Sequence, residues 1–268
     1  MKLGCSNIVA LIQKELRHYF YSPIAYVVMM IFLTISGYFF HSGMARFSQQ
    51  YTYYKSMSQM YGNPEILSRL NLNDMVIAPA LFNMVFIFLF MLPLVMMRSF
   101  AEEKSRKTDE LLKTSPLSAW QLIIGKFFGA FSFVVFMLLP TLAYQFLLFG
   151  LMTEQPPELG PIVTGYIGVL LFAAAGISVG LFASSLTENQ IIGAVIAFVV
   201  LLFMFIINFI NIPDTTMLGG MVKYLSVSEH LSNMLRGLID TRDYVYFLSI
   251  AAVFLFLTKR SLETAGWR

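Results

Sequence analysis

The chain reads as an all-α integral membrane protein, and three observations predict it. Its mean hydropathy is +0.71. Of its 268 residues 57% are hydrophobic and only 12% are charged, about half the charge of a soluble domain. The apolar residues gather into runs near the ~20 residues that span a bilayer as a helix. The ~10-residue alternating segments of a β-barrel are absent from the sequence. Six transmembrane helices are expected, over 24–40, 76–97, 122–149, 162–183, 190–211 and 244–258, within a single transmembrane domain, 1–268.

The elements follow in chain order. Residues 6–20 form an amphipathic elbow helix. Ile8, Leu11, Ile12, Leu16 and Tyr19 share one face, with Lys14 and Arg17 opposite. Such a helix lies in the cytoplasmic interface. Glu15 falls on its apolar face, and pairing with a basic residue of 98–113 would account for it. Ser22-Pro23 breaks the helix before the first span. Residues 41–75 read as a polar and aromatic outer loop with a turn at Gly62-Asn63-Pro64. Pro93 and Pro140 interrupt spans two and three, as tolerated kinks or as hinges. In span four Gly176, Gly180 and Ser184 recur every four residues. That stripe permits close helix packing, within the subunit or along a dimer seam. In the outer segment 212–243, Val227, Leu231, Met234, Leu235 and Leu238 give 226–239 helical spacing. It reads as a short interfacial helix or a re-entrant hairpin, with Glu229, His230 and Asp240 anchoring and capping it.

Orientation follows from the Lys and Arg residues. Lys2, Lys14, Arg17, Arg98, Lys104, Arg106, Lys107, Lys113, Lys126, Lys259, Arg260 and Arg268 share one face. Arg46, Lys55, Arg69, Lys223, Arg236 and Arg242 share the other. The excess places both termini and the 98–121 segment in the cytoplasm. After Lys2 no apolar region precedes the charges at Lys14 and Glu15, so no cleavable signal is expected. The single cysteine, Cys5, permits no internal disulfide and no cysteine-based metal site.

Several chemistries are disfavoured. No Asp, Glu, Lys, Arg or His lies deep in an expected span, which argues against a proton-driven transporter and a charge-lined pore. The milder polar residues Asn83, Thr141, Tyr144, Gln145, Ser178 and Asn208 suit bonds between helices or to backbone, with one or two left to line a substrate path. Gly176-Ile-Ser178-Val-Gly180 matches a nucleophile elbow in letters only, because no acid or His shares its depth. His18, His41 and His230 lack metal-ligand spacing. A phosphate loop needs Gly-Lys-Ser/Thr. No Lys-Ser or Lys-Thr pair here follows a glycine, and Gly125-Lys126 precedes Phe127. Any ATP-driven motion must draw on another polypeptide.

The segment 98–121 carries the strongest signal. Its dense charge cannot lie in hydrocarbon, where each charge costs roughly 2.5–3.5 kcal/mol. Arg98–Lys104 should continue span two beyond the membrane. Thr108 can cap a short helix through Leu112, with Asp109 and Glu110 in its first turn. Ser115-Pro116 ends that helix, and Ser118 with Gln121 forms a capping box opening span three, with Trp120 at headgroup level.

Phe100, Ala101, Glu102, Glu103, Lys104, Thr108, Glu110, Leu111, Leu112, Thr114, Ser115, Pro116 and Ser118 resemble the coupling region of ABC-2 type transporter permeases. Ser105 stands where that pattern has Arg. Lys107 stands where it has Gly, which favours a helix continuing through 107. Lys14–Tyr26, Ser36–Phe40, Tyr224-Leu-Ser, His230, Arg236–Asp240 and Tyr246–Thr258 are similar to gliding-motility type permeases of that family. The resemblance implies a six-helix permease subunit of an exporter. A cytoplasmic ABC ATPase, holding ATP and Mg, would drive it through a coupling helix, so this chain is expected to be no enzyme and to hold no cofactor of its own. Contacts to the ATPase would come from Glu102, Glu103, Lys104, Arg106, Thr108, Glu110, Leu111 and Leu112. A second permease chain, identical or a sister, membrane lipids and an extracytoplasmic accessory protein are the other compatible partners; no nucleic acid is. The location would be the bacterial inner membrane. The alternative is a membrane scaffold that anchors an ATPase complex and transports nothing.

Overall fold

The computed structural model describes residues 2–63, 65, 67, 70–107, 118–151, 157–207, 219–220 and 224–264. All regular structure among them is helical. The helices are α1 (Lys2–Tyr21), α2 (Pro23–Tyr61), α3 (Ala78–Met96), α4 (Ala101–Ser105), α5 (Ala119–Leu138), α6 (Leu142–Leu151), α7 (Leu159–Leu186), α8 (Gln190–Ile206), α9 (Val227–Leu235) and α10 (Thr241–Thr264). A π-helical turn, Asn73–Ile77, leads into α3, and a 3-10 turn, Leu139–Thr141, joins α5 to α6. Five stretches are long and apolar enough to cross a membrane: Pro23–Tyr61, Asn73–Ser105, Ala119–Gly150, Leu159–Leu186 and Thr241–Thr264. The 17 residues of α8 reach only about 25 Å.

α7 is the centre. It is apolar all round, the pattern of a helix surrounded by others, and it packs on α3, α5, α8, α9 and α10. Most of it is buried, whereas most of α2 is not. Glycines set its distance from α3. A Cβ added at Gly165 would lie 2.5 Å from Leu81, at Gly176 2.6 Å from Leu92, and at Gly180 2.5 Å from Met96. These pairs keep one offset of 84 residues, the separation also found between Ser184 and Phe100. A constant offset means that α3 and α7 run parallel in fixed register. The side-chain amide of Asn73 closes the far end, accepting from the Glu158 amide and donating to the Glu158 carbonyl, each at 3.1 Å. The small-residue stripe of span four is therefore occupied within the chain, by α3, and does not present Gly176 and Gly180 to a second copy.

Several boundaries differ from expectation. The first span does not stop at 40. α2 runs 39 residues to Tyr61, about 58 Å, because His41–Tyr61 contains no proline and a single glycine, Gly43. It ends where Gly62 turns left-handed, at φ 63. Pro93 sits inside α3 without ending it, and Met97 N–H still reaches the Pro93 carbonyl at 2.9 Å. Pro140 does interrupt its span, as the 3-10 turn. Arg98–Lys104 does not continue α3, since residues 97–100 form a turn before α4. The expected end of span five at 211 lies outside the described residues.

In α9, Val227, Leu231, Met234 and Leu235 are buried, and Leu238 lies exposed beyond the helix end. His230 is not an interfacial anchor. It is buried, bonded to the Asp243 carboxylate and the Tyr224 carbonyl, with its ring stacked on Tyr246. Asp240 caps the start of α10 rather than α9, accepting from the Arg242 amide at 2.9 Å.

Candidate functional site

The densest polar construction joins α1, α4 and α5 around Lys126. α1 lays the face carrying Leu11, Glu15 and Tyr19 against α5. The approach is close because α5 offers two glycines on one side. A Cβ at Gly125 would fall 2.3 Å from Leu11 Cδ2, and one at Gly129 2.6 Å from Glu15 Cβ. Tyr19 continues the contact one turn on, stacked on Phe133 at 5.0 Å between ring centres. Burial, with the nearby Glu15 carboxylate, pushes the Tyr19 phenol well above its ordinary pKa, so it stays protonated.

This register delivers Glu15 to Lys126. The Lys126 ammonium donates to the Ser99 carbonyl at 2.7 Å, to Glu103 Oε1 at 2.7 Å and to Glu15 Oε1 at 3.3 Å. Three donors meet three acceptors, which saturates an ammonium. The Lys126 side chain is 3% exposed, and its charge also lies 5.2 Å from the centre of the Phe100 ring. Glu15 thus pairs with a lysine of α5 and, among the described residues, with no basic residue of 98–107; that stretch supplies a second carboxylate, Glu103. Lys126 counts for orientation in the sequence, but its burial could be read only from the Gly125/Gly129 spacing beside it.

α4 is fastened a second time, to α7. Ser184 Oγ accepts from the amides of Phe100 and Ala101, each at 3.0 Å, and donates to the Met97 carbonyl at 3.2 Å. Lys104 donates to the Ser185 carbonyl, which also accepts from Ser261 of α10 at 3.3 Å. That carbonyl belongs to the last turn of α7, where unpaired oxygens and the helix dipole favour a cation. After Ser105 the helix stops. Lys107 takes φ 56, so the left-handed turn forms here with lysine in place of glycine; nothing in the structure explains the choice of lysine. Across the gap, Ser118 and Gln121 make the expected capping box at the start of α5.

The other expected contact residues divide. Glu102 and Arg106 pair with each other at 2.8 Å, one turn apart at the surface. Lys14 and Arg17 are exposed on α1. Thr108, Glu110, Leu111 and Leu112, the core of the expected coupling helix, lie outside the described residues, as does Asn208. Thr141 bonds the Leu138 carbonyl and the Tyr166 hydroxyl, Tyr144 bonds the Leu33 carbonyl, and Ser178 bonds the Ala175 carbonyl. Gln145 Oε1 is buried without a partner among the described residues. Asn83 lines a cavity of about 620 Å³ with Asp74 and Arg236, at the start of α3 and the end of α9. No cluster of metal-ligating side chains occurs among the described residues.

A search of curated proteins finds no match. The family described as ABC-2 family transporter protein matches residues 49–258, most of the chain and both fastened ends of α3 and α7. This multi-pass membrane protein belongs to the ABC-2 transporter family.

Proposed function

We propose that the chain is the permease subunit of an ATP-driven exporter in the bacterial inner membrane, moved by a separate cytoplasmic ATPase through residues 98–121. Six crossings form when α8 is counted as a short span and α5 with α6 as one. The parallel register of α3 and α7 supports the second count, since one reversed crossing must separate two parallel spans. Both termini then share the cytoplasmic side with 98–121. The terminal motifs favour the gliding-motility type within the family.

The observation that carries the reading is the double fastening of α4. The arm preceding the expected coupling helix is tied to α1 and α5 through Lys126, and to α7 through Ser184 and Ser185. A push on this arm is a push on three membrane elements, because the bonds are short and largely shielded from water. Glu103 serves this internal brace. Glu102, Arg106 and the 108–112 stretch remain the surface offered to the ATPase.

The test is affinity purification of the tagged chain from native membranes, with ATP hydrolysis measured on what accompanies it. A stoichiometric ATPase bearing a phosphate loop, lost from Glu102→Lys with Glu110→Lys while the chain still inserts, is expected. A chain that comes down alone excludes the ATPase partner. A bound ATPase whose turnover and cargo movement ignore the permease supports the scaffold alternative.

A further inference from the structure

We propose that the cavity at the elbow between α1 and α2 binds the phosphate headgroup of an anionic phospholipid, with its acyl chains running out between α2 and α3. The cavity holds about 440 Å³, within the range of ligand sites, ~300–1,000 Å³. Its wall changes character along its length. One end is charged, from α1, the turn after α3, and α4. The other end is apolar, from Ile24 and Val28 in the first turns of α2 and from Leu94 and Val95 in the last turn of α3. Ile24 and Leu94 are 48% and 53% exposed. The apolar wall therefore continues onto the outer face of two membrane-spanning stretches, a surface that meets lipid tails.

The charged end favours an anion. Three carboxylates face it, Glu15, Glu102 and Glu103, and each is already held. Lys126 binds Glu15 and Glu103, and Arg106 binds Glu102. Two further cations of the lining, Lys14 and Arg98, have no ion pair among the described residues. One cation comes from each side of the cavity. A phosphodiester between them satisfies both, as basic residues at a membrane boundary recruit anionic lipid. A soluble phosphate would satisfy the charged end alone and leave the apolar wall facing water.

This assignment requires no ATPase, so it stands or falls separately from the permease reading. The delipidated, detergent-solubilised full chain is titrated with phosphatidylglycerol, with phosphatidylcholine of the same acyl chains, and with inorganic phosphate. Binding is read by native mass spectrometry and by thermal stabilisation. The expected result is a preference for phosphatidylglycerol that falls at least about tenfold in Lys14→Gln/Arg98→Gln. Arg17→Gln, which removes a charge from the same helix outside the cavity, leaves the preference intact. Val28→Trp, which fills the apolar end and keeps every charge, also weakens binding. Equal affinity for the two lipids overturns the proposal, and so does a double variant that keeps the preference or an Arg17→Gln loss of the same size. Inorganic phosphate binding with the same charge dependence, unaffected by Val28→Trp, assigns a soluble-phosphate site and overturns it as well.

Discussion

Replacing Lys126 with methionine should be among the most damaging single changes at the α1–α5 contact. Methionine keeps the bulk and removes the charge. Three acceptors lose their donor: the Ser99 carbonyl at 2.7 Å, Glu103 at 2.7 Å and Glu15 at 3.3 Å. Breaking a buried ion pair from one side costs about 3–5 kcal/mol, because the remaining charge stays desolvated. Glu15 and Glu103 are 11% and 19% exposed, enough to admit some water, so the lower end, about 3 kcal/mol, applies. In a chain of this size that corresponds to a fall in Tm of roughly 6–12 °C, read by thermal unfolding in a mild detergent. The sign of the second step is diagnostic. Glu15→Gln with Glu103→Gln in the Lys126→Met background removes the stranded charges and should recover most of the loss, since the uncompensated buried charge is what makes breaking such a pair costly. A single variant within about 1 kcal/mol of the parent, or a triple variant no more stable than the single, would refute the brace.

Other perturbations test the same region. Gly125→Ala should separate α1 from α5 at a cost of about 1–3 kcal/mol, and Leu11→Ala should restore the contact, because the atoms nearest the added Cβ belong to the Leu11 side chain; disulfide trapping between cysteines placed on the two helices reports it. Ser184→Ala leaves the buried amides of Phe100 and Ala101 without their acceptor, about 1–3 kcal/mol each, and should expose 97–107 to protease before the rest of the chain melts. Lys107→Gly relieves a left-handed residue and should raise stability by roughly 1 kcal/mol, visible as a Tm rise of a few degrees.

Composition and run length made the membrane class, the helix positions and the Ser118 capping box legible, because hydropathy and local hydrogen bonding act within a few residues of chain. The length of α2 was hidden for the same reason: polarity after residue 40 signals emergence from lipid, whereas only a breaker ends a helix, and that is Gly62. Glu15 was visibly out of place on an apolar face, yet its partner depended on which helix covers that face. Two glycines on α5 decided this, and the pairing spans 111 residues. His230 and Asp243 were concealed likewise. Each sits beside polar neighbours in sequence, and only the meeting of α9 with α10 buries them together.

The brace also bears on which proline can act as a hinge. Pro93 lies between Leu92 and Met96, the two residues seated on Gly176 and Gly180. Bending α3 there would have to unseat both contacts and strain the Ser184 bonds just beyond them. Pro140 is placed differently. It is exposed, it already interrupts the backbone ladder as a 3-10 turn, and Leu139 beside it is 52% exposed. On the permease reading the arm at α4 moves α3, α7 and α5 as one unit while α6 lags behind, with the change in angle taken up at Leu139–Thr141. Pro140→Ala, which lets α5 and α6 merge into one helix, should therefore slow transport while leaving ATPase binding intact. Pro93→Ala should alter stability more than rate. A transport defect confined to Pro93→Ala would move the hinge into α3 and contradict the rigid α3–α7 pair.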